Sequence, residues 1–427
     1  MFACIGAITS LLAGGCGDDA PTDGGSSSGT GASSSGVTAP TGTDASATDP
    51  DTSAEGETIA GTATSTAGGS TGPDSMCREG SGAPGELCFA PPVEIFGGRP
   101  VAALAAADLD DNGADDLVVG HNAGLAVLMG DGEGGFLPAV EIDRGGVVSL
   151  ALADLDGDGL VDVVAAHGGA APISFVFGTP GGFAEPEDLP QDDGSPAAPS
   201  SVAVADFDGD GRPDIVAVDE AYGRLSLWLQ TPTGEFSTPL TLEVGGSPGQ
   251  LGVGELGGSD APDVAIPNIG ATSVAVLLFA DGSFDIAASV IVGDGPRAVA
   301  IADLDGDGRD DLAAADGTGD SCSIAFGGAA SLGGATSLAA GPGPRAVVVG
   351  DMDNDGLGDV AVTLESANAL AVFLHDEPGT FLPAQWVATG PSPGAAALAD
   401  FNGDGLGDIA VGTASAQGGV SLLLSDP

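Results

Sequence analysis

The sequence predicts an all-β fold: a seven-bladed β-propeller of four-stranded antiparallel blades. Three observations carry this. First, an acidic loop of the form Asp-x-Asp-x-Asp-Gly-x-x-Asp starts at Asp108, Asp154, Asp206, Asp303, Asp351 and Asp400, and a decayed copy starts at Glu255. The seven starts are separated by 46, 52, 49, 48, 48 and 49 residues. Second, each interval holds short alternating apolar runs of strand length. Third, 74 glycines and 29 prolines cut the chain into pieces too short for helices. A period of about 40–50 residues built from short strands marks a propeller.

Each unit follows one plan. A strand of small alternating residues ends at the first loop aspartate, as in Ser201-Val-Ala-Val-Ala205, Ala298-Val-Ala-Ile-Ala302 and Ala346-Val-Val-Val-Gly350. Small side chains suit the crowded edge beside a propeller axis. The acidic loop follows, then a second strand such as Asp214-Ile-Val-Ala-Val218, a tight polar turn, and a third strand such as Leu225-Ser-Leu-Trp-Leu229. A fourth strand is expected to begin near a Gly-x-Phe, as in Gly134-Gly-Phe136 and Gly379-Thr-Phe381. The last unit stops after its third strand, Val420-Ser-Leu-Leu-Leu424. The stretch Phe89-Ala-Pro-Pro-Val-Glu-Ile-Phe96 precedes the first loop and matches Phe136-Leu-Pro-Ala-Val-Glu-Ile142. It is a fourth strand without a unit of its own. Its pairing with Val420–Leu424 completes the seventh blade and removes a free edge. The surplus of the 52-residue interval falls at residues 191–199.

Four segments organise the chain. Residues 1–16 have the apolar, small-residue character of an export signal. Leu11-Leu12-Ala13-Gly14-Gly15-Cys16 is similar to a bacterial lipoprotein signal with Cys16 as the lipidated residue. It departs from that pattern in having Ala13 where leucine is usual and no basic residue before the apolar run. Ordinary secretion is the rival reading. Residues 17–76, mostly Gly, Ser, Thr, Ala and Asp without aromatics, are expected to form a disordered tether. Sixty such residues span roughly 40–45 Å. Residues 77–88 are bracketed by Cys77 and Cys88, a disulfide pair if the protein is exported. Residues 89–427 hold the propeller. Cys322 stands alone in an apolar run and is expected as a buried free thiol.

Composition limits the partners. The net charge is −54, and the eight basic residues are all arginines. Phosphate backbones need a cationic surface, so nucleic acid is excluded as a partner. The domain is expected to be monomeric, and to meet a membrane only through the lipid anchor.

The acidic loop has the chemistry of a calcium site. Calcium takes six to eight oxygens at about 2.3–2.6 Å, and magnesium demands a stricter octahedron with retained water. Side chains at loop positions 1, 3, 5 and 9 supply oxygens, and position 7 supplies a backbone carbonyl. The first loop offers Asp108, Asp110, Asn112 and Asp116 with the Ala114 carbonyl. The second offers Asp154, Asp156, Asp158 and Asp162 with Leu160, and the third Asp206, Asp208, Asp210 and Asp214 with Arg212. The fifth offers Asp303, Asp305, Asp307 and Asp311 with Arg309, and the sixth Asp351, Asp353, Asp355 and Asp359 with Leu357. The seventh offers Asp400, Asn402, Asp404 and Asp408 with Leu406. Amides in the first and seventh lower the site charge and the expected affinity. The fourth loop has Glu255, Gly257, Ser259 and Asp263, lacks a ligand at position 3 and has Asp260 where the turn glycine belongs. It is expected to be empty, which leaves about six Ca2+ sites. An EF-hand is rejected: position 12 is Val or Ala in all six good loops, and the flanks alternate as strands.

Loop, period and Gly-x-Phe together resemble the FG-GAP/VCBS repeat, the unit of the integrin α-subunit propeller. The resemblance covers Phe89–Pro427. It implies calcium loops on one face of the ring and ligand binding on the opposite face. It does not name the ligand, because the family spans adhesion domains, lectin-like proteins and other surface proteins.

On that opposite face two groups of residues stand out. Five residues past each loop's last aspartate come His121, His167, Asp219, Asn268, Asp316, Leu364 and Thr413. Turn geometry explains them most simply. Arg99, Arg144, Arg297 and Arg345 fall in connections from an outer to the next inner strand, near the central opening. They either pair with nearby carboxylates or form an anion-binding mouth. Tyr222 and Arg224 are an aromatic–cationic contact pair suited to a sugar, and Trp228 reads as core. The function expected is an extracytoplasmic, calcium-stabilised module, at the outer membrane or cell surface or else secreted. It would bind or adhere to a protein or glycan and would not be an enzyme. The alternative is an extracellular polysaccharide lyase or hydrolase of propeller type.

Overall fold

The computed structural model describes Leu87 and residues 89–425, apart from 169–172, 191–197, 258–260, 281 and 329–330. The signal-like segment with Cys16, the tether, the Cys77–Cys88 pair, most of the 191–199 surplus and Ser259 lie outside the described residues. Among the described residues there is no helix. The chain forms seven four-stranded antiparallel sheets, six of them running in chain order from an inner to an outer strand, two of these with a two-stranded spur inserted before the outer strand.

The third blade shows why these residues form these strands. Its strands are Pro199–Ala205, Asp214–Asp219, Arg224–Trp228 and Leu240–Glu243. The second strand is buried throughout, so it reads as a continuous apolar run between neighbouring blades. The outer strand is largely exposed and alternates polar with apolar residues. Inner strands contact one another in a closed circuit, with Val101–Ala107 touching both Val147–Ala153 and Pro393–Ala399. The core is correspondingly divided into seven clusters, one at each blade interface. Trp228 belongs to one of them and donates its indole N–H to the Pro190 carbonyl at 2.9 Å. Cys322 is a fully buried free thiol.

Ring closure follows the expectation. Val93–Gly97 is the outer strand of the seventh blade, antiparallel to Gly419–Leu423, and Phe89 bridges Ser425. Gly419 makes this possible, because a Cβ there would run into the Phe96 carbonyl.

Two features differ from or add to the sequence reading. The Gly-x-Phe begins the outer strand in the fourth blade, where Ser283 and Phe284 open Ser283–Ile291, but not in the first, third and sixth. Phe136 pairs with Gly130, Phe236 with Gln230, and Phe381 with His375, in short spurs that precede the outer strands. The reason is packing between blades: the Phe136 ring lies 5.7 Å from Phe401 in the acidic loop of the seventh blade. The second feature is a β-bulge near the start of the inner strand. It falls between Val101 and Ala103, Val147 and Ser149, Pro199 and Ser201, Pro296 and Ala298, Pro344 and Val347, and Pro393 and Ala395. A bulge turns one side chain away from the regular alternation. Here that side chain meets the central channel.

Candidate metal loops and the opposite channel mouth

Each acidic loop links an inner strand to the second strand, so all seven lie at one end of the ring. The first aspartate folds the loop back on itself. In the second loop Asp154 accepts from the Asp158 and Gly159 amides at 3.1 and 2.9 Å. Asp158 accepts from the Leu160 amide at 2.9 Å. The other good loops repeat these bonds. The position-6 glycines have φ between 82° and 89°, the left-handed region that glycine enters freely. Position 4 is left-handed too, and here Asp111 and Asn354 replace glycine with φ of 59°. The sequence reading missed that requirement, although glycine at 157, 209, 306 and 403 signalled it.

Position 9 does more than offer a ligand. Asp116, Asp162, Asp214, Asp263, Asp311, Asp359 and Asp408 are all essentially fully buried. In each, one oxygen accepts from the amide after the loop's first residue, and the other accepts from an amide at the end of the third strand. For Asp214 these are Phe207 at 3.0 Å and Gln230 at 2.8 Å. For Asp359 they are Met352 at 2.9 Å and His375 at 2.8 Å. The carboxylate thus ties three parts of a blade together. Burial pushes Asp116, Asp162, Asp214, Asp311 and Asp408 up to about 6, and Asp359 to about 8, against the lowering effect of those amides.

Five loops bring three carboxylates together with oxygens within 4.8 Å of one another. They are Asp108, Asp110 and Asp116; Asp154, Asp156 and Asp162; Asp206, Asp208 and Asp210; Asp303, Asp305 and Asp311; and Asp351, Asp353 and Asp355. Asp158, Asp214, Asp307 and Asp359 fall outside these groupings, Asp307 being paired with Arg309. Arg212 pairs likewise with Asp210. In the seventh loop Asn402 donates to Asp404 at 3.0 Å. A hard divalent cation fits these donors. In the sixth loop Asp353 Oδ2 is buried without a hydrogen-bond partner, as expected of an oxygen placed for a cation. The fourth loop forms no such cluster among the described residues. Its Glu255 amide is instead bonded by Asp310 of the next blade at 2.7 Å.

At the other end of the ring, the polar residues five past each last aspartate hold their own turns. His121 Nδ1 accepts from the Ala123 amide at 3.1 Å. Asp219 accepts from Ala221 and Tyr222, Asn268 from Gly270, and Thr413 from Gly419. His167 meets the Ser174 hydroxyl at 2.7 Å, and burial together with Arg144 lowers its pKa. Leu364 is core.

The four arginines separate into two kinds. Arg99 is 2.8 Å from Glu141, and Arg144 pairs with Asp188, both on outer strands. They do not line the central opening, because they precede the bulge and turn to the blade's outer edge. Arg297 and Arg345 occupy the bulge itself and line a channel of about 300 Å³. Arg345 also lines an adjoining recess of about 320 Å³. Tyr222 is 53% exposed with the Arg224 guanidinium 5.7 Å from its ring centroid, a cation–π geometry.

A closed ring of seven blades with acidic inner hairpin loops defines the class: a β-propeller with Asp-rich groups able to hold metal. The chain belongs to the FG-GAP-like repeat family, which matches residues 108–165, 154–217, 206–266 and 351–411. Comparison with curated proteins gives no match. Among solved structures, BBS1N in complex with ARL6DN is similar in fold. The lead-soaked crystal gives a TM-score of 0.55 at 12% identity over 78% of this chain and 97% of that one. The mercury-soaked crystal gives 0.56 at 12% identity over 79% and 97%. An Agrocybe aegerita lectin specific for non-reducing terminal N-acetylglucosamine gives 0.48 at 21% identity, over 77% and 90%.

Proposed function

We propose that the chain is a calcium-stabilised, extracytoplasmic binding module that engages a protein or glycan through the face opposite its acidic loops. The observation that carries this reading is the division of labour between the two ends of the ring. One end gathers carboxylates into five tight clusters, and the other opens into a channel lined mostly by apolar residues, whose lining includes Arg297 and Arg345. Calcium in about six loops would neutralise part of the acidic end and hold each blade's first hairpin. Family membership supports a binding role and an extracellular setting, with lipid attachment at Cys16 as the proposed anchor.

The experiment is a glycan and protein binding screen of the full chain in calcium and in chelator, with equilibrium dialysis for calcium stoichiometry. Calcium-dependent binding without turnover is expected. Depolymerisation of a polysaccharide would replace this reading with the lyase or hydrolase alternative.

A further inference from the structure

Six of the inner strands carry a bulge near their start, and the corresponding segment of the fourth blade, Pro248–Gln250, keeps only an isolated bridge from Pro248 to Asn268 while Gln250 bridges Ala298 of the fifth blade. The residues so placed all line the central channel. Five are small or neutral: Ala102, Val148, Ser200, Gly249 and Gly394. The other two are Arg297 and Arg345, on adjacent blades.

The two arginines are not equally neutralised. Arg345 reaches Glu365 of its own blade at 3.5 Å, a long contact between half-exposed groups. Glu365 immediately follows the second strand. The residue in that place in the fifth blade is Gly317. Arg297 lies across this glycine, where a Cβ would collide with its side chain. Asp316, paired in register with Pro296, gives its bonded oxygen to the Ser321 and Ser323 hydroxyls. No ion pair involves Arg297 among the described residues. Its backbone is fixed, because the Arg297 carbonyl accepts from the Gln250 amide of the fourth blade at 2.8 Å. The lining carboxylate, Glu220, belongs to the third blade, two blades away.

We infer that the channel mouth binds the carboxylate group of a small ligand, with Arg297 as its main partner and Arg345 beside it. A planar guanidinium matches a carboxylate with two parallel hydrogen bonds. The channel volume of about 300 Å³ is at the small-molecule end of ligand pockets. One unneutralised cation in a chain of net charge −54 favours a monoanion over a phosphate dianion, which the protein's field would repel about twice as strongly. This rests on the proposal that this face is the ligand face.

The test uses the full chain in calcium with propionate, D-glucuronate and N-acetyl-alanine, each a monoanion at neutral pH, as probes, and propionamide, D-glucose, N-acetyl-alaninamide and inorganic phosphate as controls. Binding is read by ligand-observed NMR. At least one carboxylate should bind and its neutral counterpart should not, and the preferred probe separates sugar acids from peptide acids. Arg297→Gln should weaken binding roughly tenfold or more. Gly317→Glu, which recreates in the fifth blade the Arg345–Glu365 arrangement, should abolish it. Arg99→Gln, at a paired arginine off the channel, should leave it unchanged. Equal binding by wild type and Arg297→Gln, no binding of any carboxylate at millimolar concentration, or preference for phosphate or for a neutral control would each overturn the inference. A macromolecular ligand mapped to the acidic-loop end would instead remove the face assignment, even with carboxylate binding at Arg297 intact.

Discussion

Asp263 separates the fold-holding role of the loop aspartate from metal binding. It stands at position 9 of the fourth loop, which forms no carboxylate cluster among the described residues. It is nonetheless fully buried and accepts three backbone amides: Leu256 at 3.1 Å, Gly257 at 2.8 Å and Phe279 at 3.1 Å. Asp263→Ala leaves these donors without an acceptor. Each bond to a charged acceptor is worth about 1.5–3 kcal/mol, and each stranded amide costs about 1–3 kcal/mol. Relief of the buried carboxylate, whose pKa burial raises, offsets part of this. The expected net loss is about 3–6 kcal/mol. Asp263→Asn keeps one acceptor but turns an NH2 toward an amide donor, so about half of that loss is expected. The assay is denaturant unfolding of the full chain in calcium and in chelator. The loss should be the same in both. Asp156→Ala, which removes a carboxylate of the second-loop cluster, should shift the midpoint chiefly in calcium. A loss below about 1 kcal/mol for Asp263→Ala, or one that vanishes in chelator, would refute the reasoning.

Three further outcomes follow from the same geometry. Gly419→Ala should destabilise the closed ring by about 1–3 kcal/mol through overpacking against the Phe96 carbonyl, read as a lower melting temperature. Deleting residues 89–97 removes the outer strand of the seventh blade and should add self-association through the bared 419–423 edge, visible by light scattering. The third concerns pH. Burial raises five of the position-9 carboxylates, Asp116, Asp162, Asp214, Asp311 and Asp408, from an ordinary value near 3.8 to about 6, and Asp359 to about 8. A folded pKa above the unfolded one gives stability that is full below the unfolded value and is lost as pH rises through the folded value. In chelator the melting temperature should therefore fall between about pH 4 and pH 6, with Asp359 carrying the fall on to about pH 8, and calcium, which binds the ionised form, should widen its advantage over the same range. A calcium effect that is flat across that window would count against carboxylates as the ligands.

Much of this architecture was legible because it repeats. Blade number, strand plan and ring closure were all readable from seven loop starts and one orphaned Phe89–Phe96 stretch. The Gly-x-Phe opens the outer strand in the fourth blade but a separate spur in the first, third and sixth, because sequence spacing cannot distinguish an outer strand from a spur that packs on the neighbouring blade. The bulge was invisible for a related reason. Pro296-Arg297-Ala298 alternates acceptably as a plain strand, and only the register to Asp316 and Ala315 exposes the extra residue. Grouping four arginines by their place in the connections therefore merged Arg99 and Arg144, which pair at outer strands, with Arg297 and Arg345, which line the channel. The loop ligands were legible as donors, but the two amides that each position-9 aspartate accepts come from residues up to 17 positions away, and spacing within the loop says nothing of them.

The seven blades amount to an internal experiment on what the repeat requires. Position 9 is aspartate in every blade, including the fourth, where positions 3 and 5 have lost their carboxylates. A residue kept where the ligand set has decayed is kept for the fold, so a metal held by the proposed ligands would add to a hairpin already tied by its own backbone amides. The bulge position shows the opposite pattern: alanine, valine, serine, glycine, arginine, arginine and glycine in blade order. Its side chain faces the channel, and apart from the Ser200 hydroxyl on the Val218 carbonyl and the Arg345–Glu365 contact it carries no bond to the blade, so it can change at little cost to the ring. A scaffold of this kind fixes its chemistry at one end and leaves the other free to vary. The two arginines on adjacent blades are the charged exceptions at this position, and the proposed carboxylate site at the channel mouth rests on them.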